Sequence, residues 1–174
     1  MFLPFFYYLT DTSKETNEIF MKIGRVLYVA TRFESYCRTL NILLDAKSSV
    51  NKGDLSLEND DQVKEFMNKI LKLTLNKHIK SILKSLKLND KDISKLIFNA
   101  KNARNYIAHE ITLGMEQSIE NDVSFWDVKY KEIDDSLIKI LVAELFIIQM
   151  IALITHDDLP PKNYIEKNKL WVLS

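Results

Sequence analysis

Residues 89–114 read NDKDISKLIFNAKNARNYIAHEITLG. Asn89 or Asp90 offers a side-chain oxygen to cap a helix start, and Gly114 stands where a left-handed residue ends one. Between them Ile93, Leu96, Ile97, Ala100, Ile107 and Ile111 fall on one stripe at about 100° per residue. The segment therefore predicts one long helix reaching about Leu113, and the rest of the chain follows the same period. From Ser13, with Asp11, Thr12 or Ser13 as cap, to about Leu44, the residues Ile23, Val26, Leu27, Ala30, Phe33, Cys37 and Leu44 recur at helical spacing. The Ser-, Asn- and Gly-containing stretch 47–60 reads as a loop. Residues 61–75 predict a second helix through Val63, Phe66, Met67 and Ile70. Residues 77–88 predict a third through Ile79, Ile82, Leu83 and Leu86, either separate from the second or continuous with it. Residues 115–133 read as irregular, or as a short hairpin from Val123 to Tyr130. Asp134, Asp135 or Ser136 then caps a last long helix to about His156, which Pro160-Pro161 keeps from extending. The tail KLWVLS is expected to pack back on the body. The fold class is all-α, a bundle of four to five helices in one domain spanning 1–174.

Composition agrees with that reading. Three Gly and three Pro in 174 residues suit long helices better than turn-rich β architecture. Cys37 stands alone and cannot form an internal disulfide, which favours a reducing, cytoplasmic setting; its simplest role is that of a small buried apolar residue. The opening MFLPFFYYL has no basic residue ahead of it and contains Pro4, a poor signal peptide. Leu137 to Ile154 is the one membrane candidate, but Lys139, Glu144 and Gln149 interrupt it in three directions, so a buried helix of a soluble bundle is expected.

Lys+Arg and Asp+Glu both number 24, so net charge makes no general argument for nucleic acid. The distribution is uneven. Residues 64–101 hold ten Lys against Glu65, Asp90 and Asp92, a local net of +7, and residues 110–135 hold eight acids against two Lys, a local net of −6. Lys77, Lys80, Lys84, Lys87 and Lys91 fall at i, i+3, i+7, i+10 and i+14, one face if the helix is continuous. Such a stripe suits an RNA backbone; on spacing alone a solvated lysine face opposite the core is the simpler reading.

Within 101–110, KNARNYIAHE, two faces carry unusual polarity. Arg104 lies in the middle of the apolar stripe, where a guanidinium is costly unless paired. Glu34 falls in the apolar stripe of the first helix, between Ala30 and Cys37, so the two are expected to meet. That contact would serve as a helix-register ion pair or support a site. Asn102, Asn105 and His109 share another face bordered by Phe98 and Tyr106, too apolar for ordinary surface and too polar for core. Arg104 and His109 stand about 140° apart on an ideal helix. No Glu-x-x-His pairs of a di-iron bundle occur, and His78 and His156 lack metal-ligand spacing. His78, among lysines, reads as a surface residue or an RNA contact.

Arg104-Asn105-Tyr106-Ile107-Ala108-His109 resembles the Arg-x(4–6)-His signature of HEPN domains, which place a polar residue just after the arginine. The likeness covers the bundle as architecture and about six residues as motif. It implies a metal-independent endoribonuclease, without cofactor, of toxin–antitoxin or phage-defence type, working as a homodimer that joins two motifs. Arg104 would bind the scissile phosphate, His109 would act as general acid or base, and Asn105 would orient one of them, with Glu34, Asn102 and Tyr106 in support. An antitoxin or nucleotidyltransferase partner is also implied. In the toxins paired with minimal nucleotidyltransferases, a tyrosine two positions past the histidine is the residue modified; here that position is Ile111, which speaks against that route. The alternative is a non-catalytic HEPN-like helical interaction and dimerisation module.

Overall fold

A computed structural model describes residues 14–87, 90–112 and 123–174. The caps at Asp11, Thr12, Ser13 and Asn89, the stop at Gly114, the opening MFLPFFYYL and residues 115–122 lie outside them. The described residues are all-helical: α1 Lys14–Lys52, α2 Asp60–Leu71, α3 Leu75–Ser85, α4 Lys91–His109, α5 Val123–Thr155 and α6 Tyr164–Leu173.

Six helices replace the expected four to five, and each difference in boundary has a local cause. α1 runs on through Ser48 and Ser49 to Lys52 and ends only at Gly53, whose φ of 77° places it in the left-handed region. Asp54 N–H donates to Ser49 C=O at 2.9 Å and Gly53 N–H to Val50 C=O at 3.0 Å, the paired bonds of a glycine-terminated helix. α2 and α3 are separate, because the chain leaves helical geometry between Leu71 and Leu75. Asn59 starts α2 by accepting from the N–H groups of Asp61 and Gln62.

α4 begins as expected, with Asp90 accepting from Asp92 N–H at 2.7 Å. It stops at His109, short of Leu113. Glu110 and Ile111 both donate to Tyr106 C=O, a turn that carries Ile111 into the core. The proposed hairpin at 123–130 is instead the first part of α5. Its aromatic and β-branched composition suggests a strand, but Phe125, Trp126 and Tyr130 pack against the core at helical spacing. α5 ends at His156, which takes a left-handed φ of 61° while Asp157 N–H donates to Ala152 C=O.

A core of apolar side chains joins α1, α3, α4, α5 and α6. Ala30, Phe33, Cys37, Ala100, Ile107 and Leu141 are buried, while Leu96, Leu145 and Ile148 are only partly covered. The most extensive packing is that of α5 on α1 and of α4 on α5, so α1 and α4 approach each other along one flank of α5. α5 is long and apolar enough to cross a membrane by length and composition. Its Glu144 nevertheless faces the interior, wholly buried. There the Arg32 guanidinium forks onto it at 2.6 and 2.8 Å and also donates to Tyr164 Oη and Asn168 Oδ1 of α6. That network ties three helices together, and α6 is the form taken by the C-terminal tail.

Candidate functional site

α4 carries the motif and α1 its counter-charge. Arg104 Nη2 donates to Glu34 Oε2 in a very short ion pair, joining residues 70 positions apart. The pair sits at the rim of the core: the Arg104 and Glu34 side chains keep 23% and 22% of their exposure. Arg38, one turn along α1, approaches the other carboxylate oxygen at 3.8 Å, so Glu34 lies between two guanidiniums. Arg104 Nη1 also donates to Asn105 Oδ1 at 3.3 Å.

Beside this pair lies an open groove of about 320 Å³, bounded by α1, the start of α3 and α4. Glu34, Thr74, Leu75, Asn76, Lys101, Arg104 and Asn105 line it. Arg104, Asn105 and Glu34 thus come together as the sequence suggests. His109 does not line the groove. It is exposed on the last residue of α4, so within one chain the arginine and the histidine serve different surfaces of the same helix.

The remaining motif face is divided. Asn102 and His109 are exposed, and Phe98 and Tyr106 are half-buried against the core. Tyr106 Oη donates to Glu132 of α5 in a very short bond and accepts from Lys129 Nζ at 3.3 Å; Lys129 Nζ also reaches Glu132 at 3.1 Å. Burial, then the Glu132 bond, pushes the Tyr106 phenol above its ordinary range, so it is a protonated, firmly held hydroxyl rather than a nucleophile. For Lys129 burial opposes the charge, but the bonds to Glu132 and Tyr106 outweigh it and hold the ammonium. Ile111 is buried.

The lysines do not form one helical stripe. Lys77, Lys80 and Lys84 are exposed on α3, Lys87 follows its end in a left-handed conformation (φ 51°), and Lys91 opens α4. All five stay in solvent, but the break between α3 and α4 removes the register that a continuous helix would impose.

His78 is not a surface residue. It is wholly buried, with Nδ1 at 3.1 Å from Asn41 Nδ2 of α1. Burial first, then the positive charge of Arg38, lowers its proton affinity below the ordinary histidine value. The signal was present: Leu75, His78, Ile79 and Ile82 fall at i, i+3, i+4 and i+7, a core stripe. Lys101, Thr74 and Asn76 were equally missed, and for Thr74 and Asn76 only the tertiary approach of α3 to α4 brings them to the groove. Cys37 is buried, and that burial, followed by the charges of Glu34 and Glu144, pushes its thiol far above the ordinary range. Among the described residues no three His, Cys, Asp or Glu side chains gather as a metal site. Comparison with protein-family models, with curated proteins and with solved structures found no match to this chain.

Proposed function

We propose that the chain is a HEPN-like, metal-independent endoribonuclease that acts as a homodimer, with Arg104, Asn105 and His109 from both copies forming the site. The observation that carries this reading is the groove beside Arg104 and Asn105, together with an exposed His109 at the end of the same helix. An arginine and an amide are held where a phosphate can enter, and the proton-transfer group stands free on a neighbouring surface.

The chemistry explains why a second copy is needed. A ribose 2′-hydroxyl attacks phosphorus in line, and one group must take its proton while another protonates the departing 5′-oxygen. Histidine does either near neutrality. One His109 supplies half of that pair, and a two-fold axis that brings two α4 helices together supplies the other. Asn102, Phe98 and Tyr106 would lie at or beside that axis. Arg104 would offset the charge that develops on the phosphorane, and products would carry a 2′,3′-cyclic phosphate and a 5′-hydroxyl. Ile111 carries no hydroxyl to accept a group, which speaks against regulation by modification at that position.

The Glu34–Arg104 ion pair favours a second reading, a helical dimerisation module in which Arg104 is structural. The test is incubation of the purified protein with total RNA in EDTA, beside His109→Ala. The ribonuclease reading expects cleavage by wild type and a loss of roughly two or more orders of magnitude in the variant, with an unchanged melting curve because His109 is exposed. Intact RNA with wild type, or undiminished cleavage by the variant, leaves the module.

A further inference from the structure

The groove holds more cation than its arginine accounts for. Lys101 lines it one turn before Arg104 and Asn105, its ammonium 5.5 Å from the Phe98 ring centroid and in no ion pair among the described residues. Arg38 stands behind Glu34 with Nε buried and without a hydrogen-bond partner. Against the two lining cations, Lys101 and Arg104, the groove presents one carboxylate, Glu34, and that carboxylate is the group now occupying Arg104. Asn76 and Asn105 add amide donors, and Thr74 spends its hydroxyl on no cap hydrogen bond. The lining is cationic by one charge, with Arg38 behind Glu34 adding to the local field, and it is set with neutral donors and open to solvent, the features of an anion site rather than of a base-stacking pocket.

Size and surroundings narrow the anion. A volume of about 320 Å³ lies at the small end of ligand sites, which run to about 1,000 Å³. It admits one phosphate with part of its nucleoside, not a duplex. From the groove's edge at Asn76, the exposed Lys77, Lys80 and Lys84 continue along α3.

We propose that this groove anchors one backbone phosphate of a single-stranded RNA that leaves along the α3 lysines, with Lys101 as its principal free cation and Glu34 as a built-in competitor that holds Arg104 until the phosphate displaces it. The inference rests on the RNA reading above and adds to it Lys101, Asn76, Thr74 and the opposing role of Glu34. In this arrangement Glu34 lowers affinity: its charge repels the arriving phosphate, and Arg104 must exchange one anion for another.

The test uses a fluorescein-labelled ten-nucleotide 2′-O-methyl RNA, which offers no free 2′-hydroxyl and so separates binding from cleavage. Anisotropy titrations between 50 and 200 mM KCl give affinity and salt slope. Lys101→Gln should weaken binding and reduce the slope by about 0.7, and Lys77→Gln/Lys80→Gln/Lys84→Gln by up to about 2, the release expected per single-strand phosphate contact. Glu34→Gln should bind roughly threefold or more tightly, since it removes a like charge near the phosphate. Lys162→Gln/Lys167→Gln, on exposed positions beside and within α6, should match wild type. A duplex of the same length should bind more weakly, and inorganic phosphate at millimolar concentration should compete. The proposal is overturned if Lys101→Gln keeps wild-type affinity and slope, if the duplex binds better than the single strand, or if a folded Glu34→Gln binds no more tightly. Binding that follows the proposal without cleavage of natural RNA would sink only the ribonuclease reading.

Discussion

Replacing Arg32 by Met should be among the most damaging single changes in the chain. Glu144 has no exposed surface, and Arg32 meets it through two bonds of 2.6 and 2.8 Å. The same guanidinium lies near the rings of Tyr28 and Tyr164 and satisfies Asn168 Oδ1 at 2.8 Å. Met keeps much of the apolar stem but leaves a buried carboxylate without its cation. Removing one partner of a buried pair costs roughly 3–5 kcal/mol. The Arg32 side chain retains 21% exposure, so water reaches part of the site and the lower portion of that range, about 3–4 kcal/mol, applies. For a chain of this length that corresponds to a fall of roughly 6–16 °C in Tm. The double variant Arg32→Met/Glu144→Leu should recover most of the loss, since replacing a buried pair by apolar groups is often neutral. Urea denaturation of wild type, both single variants and the double completes the cycle. Arg32→Met within about 1 kcal/mol of wild type, or a double variant no more stable than the single, would refute the claim that this pair locks α1, α5 and α6.

Stability should fall as pH drops through the ordinary histidine value of 6.5, because buried His78 resists the proton that the unfolded chain takes up. The contribution is complete above that pH and lost below it, by up to about 1.4 kcal/mol per pH unit; His78→Leu should flatten urea midpoints measured between pH 7.5 and 5.5, and an unchanged slope would refute the assignment. The two described glycines should respond in opposite directions to Ala. Gly24, mid-helix with open space around it, should gain about 0.5–1 kcal/mol, while Gly53, at φ 77°, should lose about 1 kcal/mol or more, both read from thermal melts. Cys37 should resist a thiol reagent in the folded protein and react at the ordinary rate in urea; prompt labelling of the native chain would contradict its burial.

Much of the fold was readable because helical period and capping chemistry are local. The Asp90 cap follows from its side-chain chemistry beside a helical stripe, and the Glu34–Arg104 contact from single charges on otherwise apolar stripes. Glu144 obeys the same logic, but within a long apolar run it reads as an interruption rather than as a charge in need of a partner. Arg32 is 112 positions from Glu144 and 132 and 136 positions from its two α6 acceptors, beyond any local pattern. His78 was hidden by its neighbours: Lys77 and Lys80 made the segment look solvated, although the residue sits on the buried stripe between them. The start of α5 was obscured because aromatic and β-branched residues favour strands locally, and packing against the core decides the outcome. The separation of His109 from the groove could be anticipated from the 140° between it and Arg104, and the structure leaves that separation in place within one chain.

The cation that α1 contributes to buried Glu144 also sets a schedule for biogenesis. α1 spans 39 residues, roughly 58 Å of rod at 1.5 Å per residue. When Arg32 is added to the chain its carboxylate partner is 112 residues from being made, and its α6 acceptors 132 and 136 residues. At about 5–20 residues per second the wait for the last of these is roughly 7–27 s. α3 and α4 can cover part of the apolar face of α1, but its remainder and the charge of Arg32 are satisfied only when α5 and α6 have been made. Closure thus waits on α5 and α6, and for those seconds α1 is a surface on which a chaperone can act.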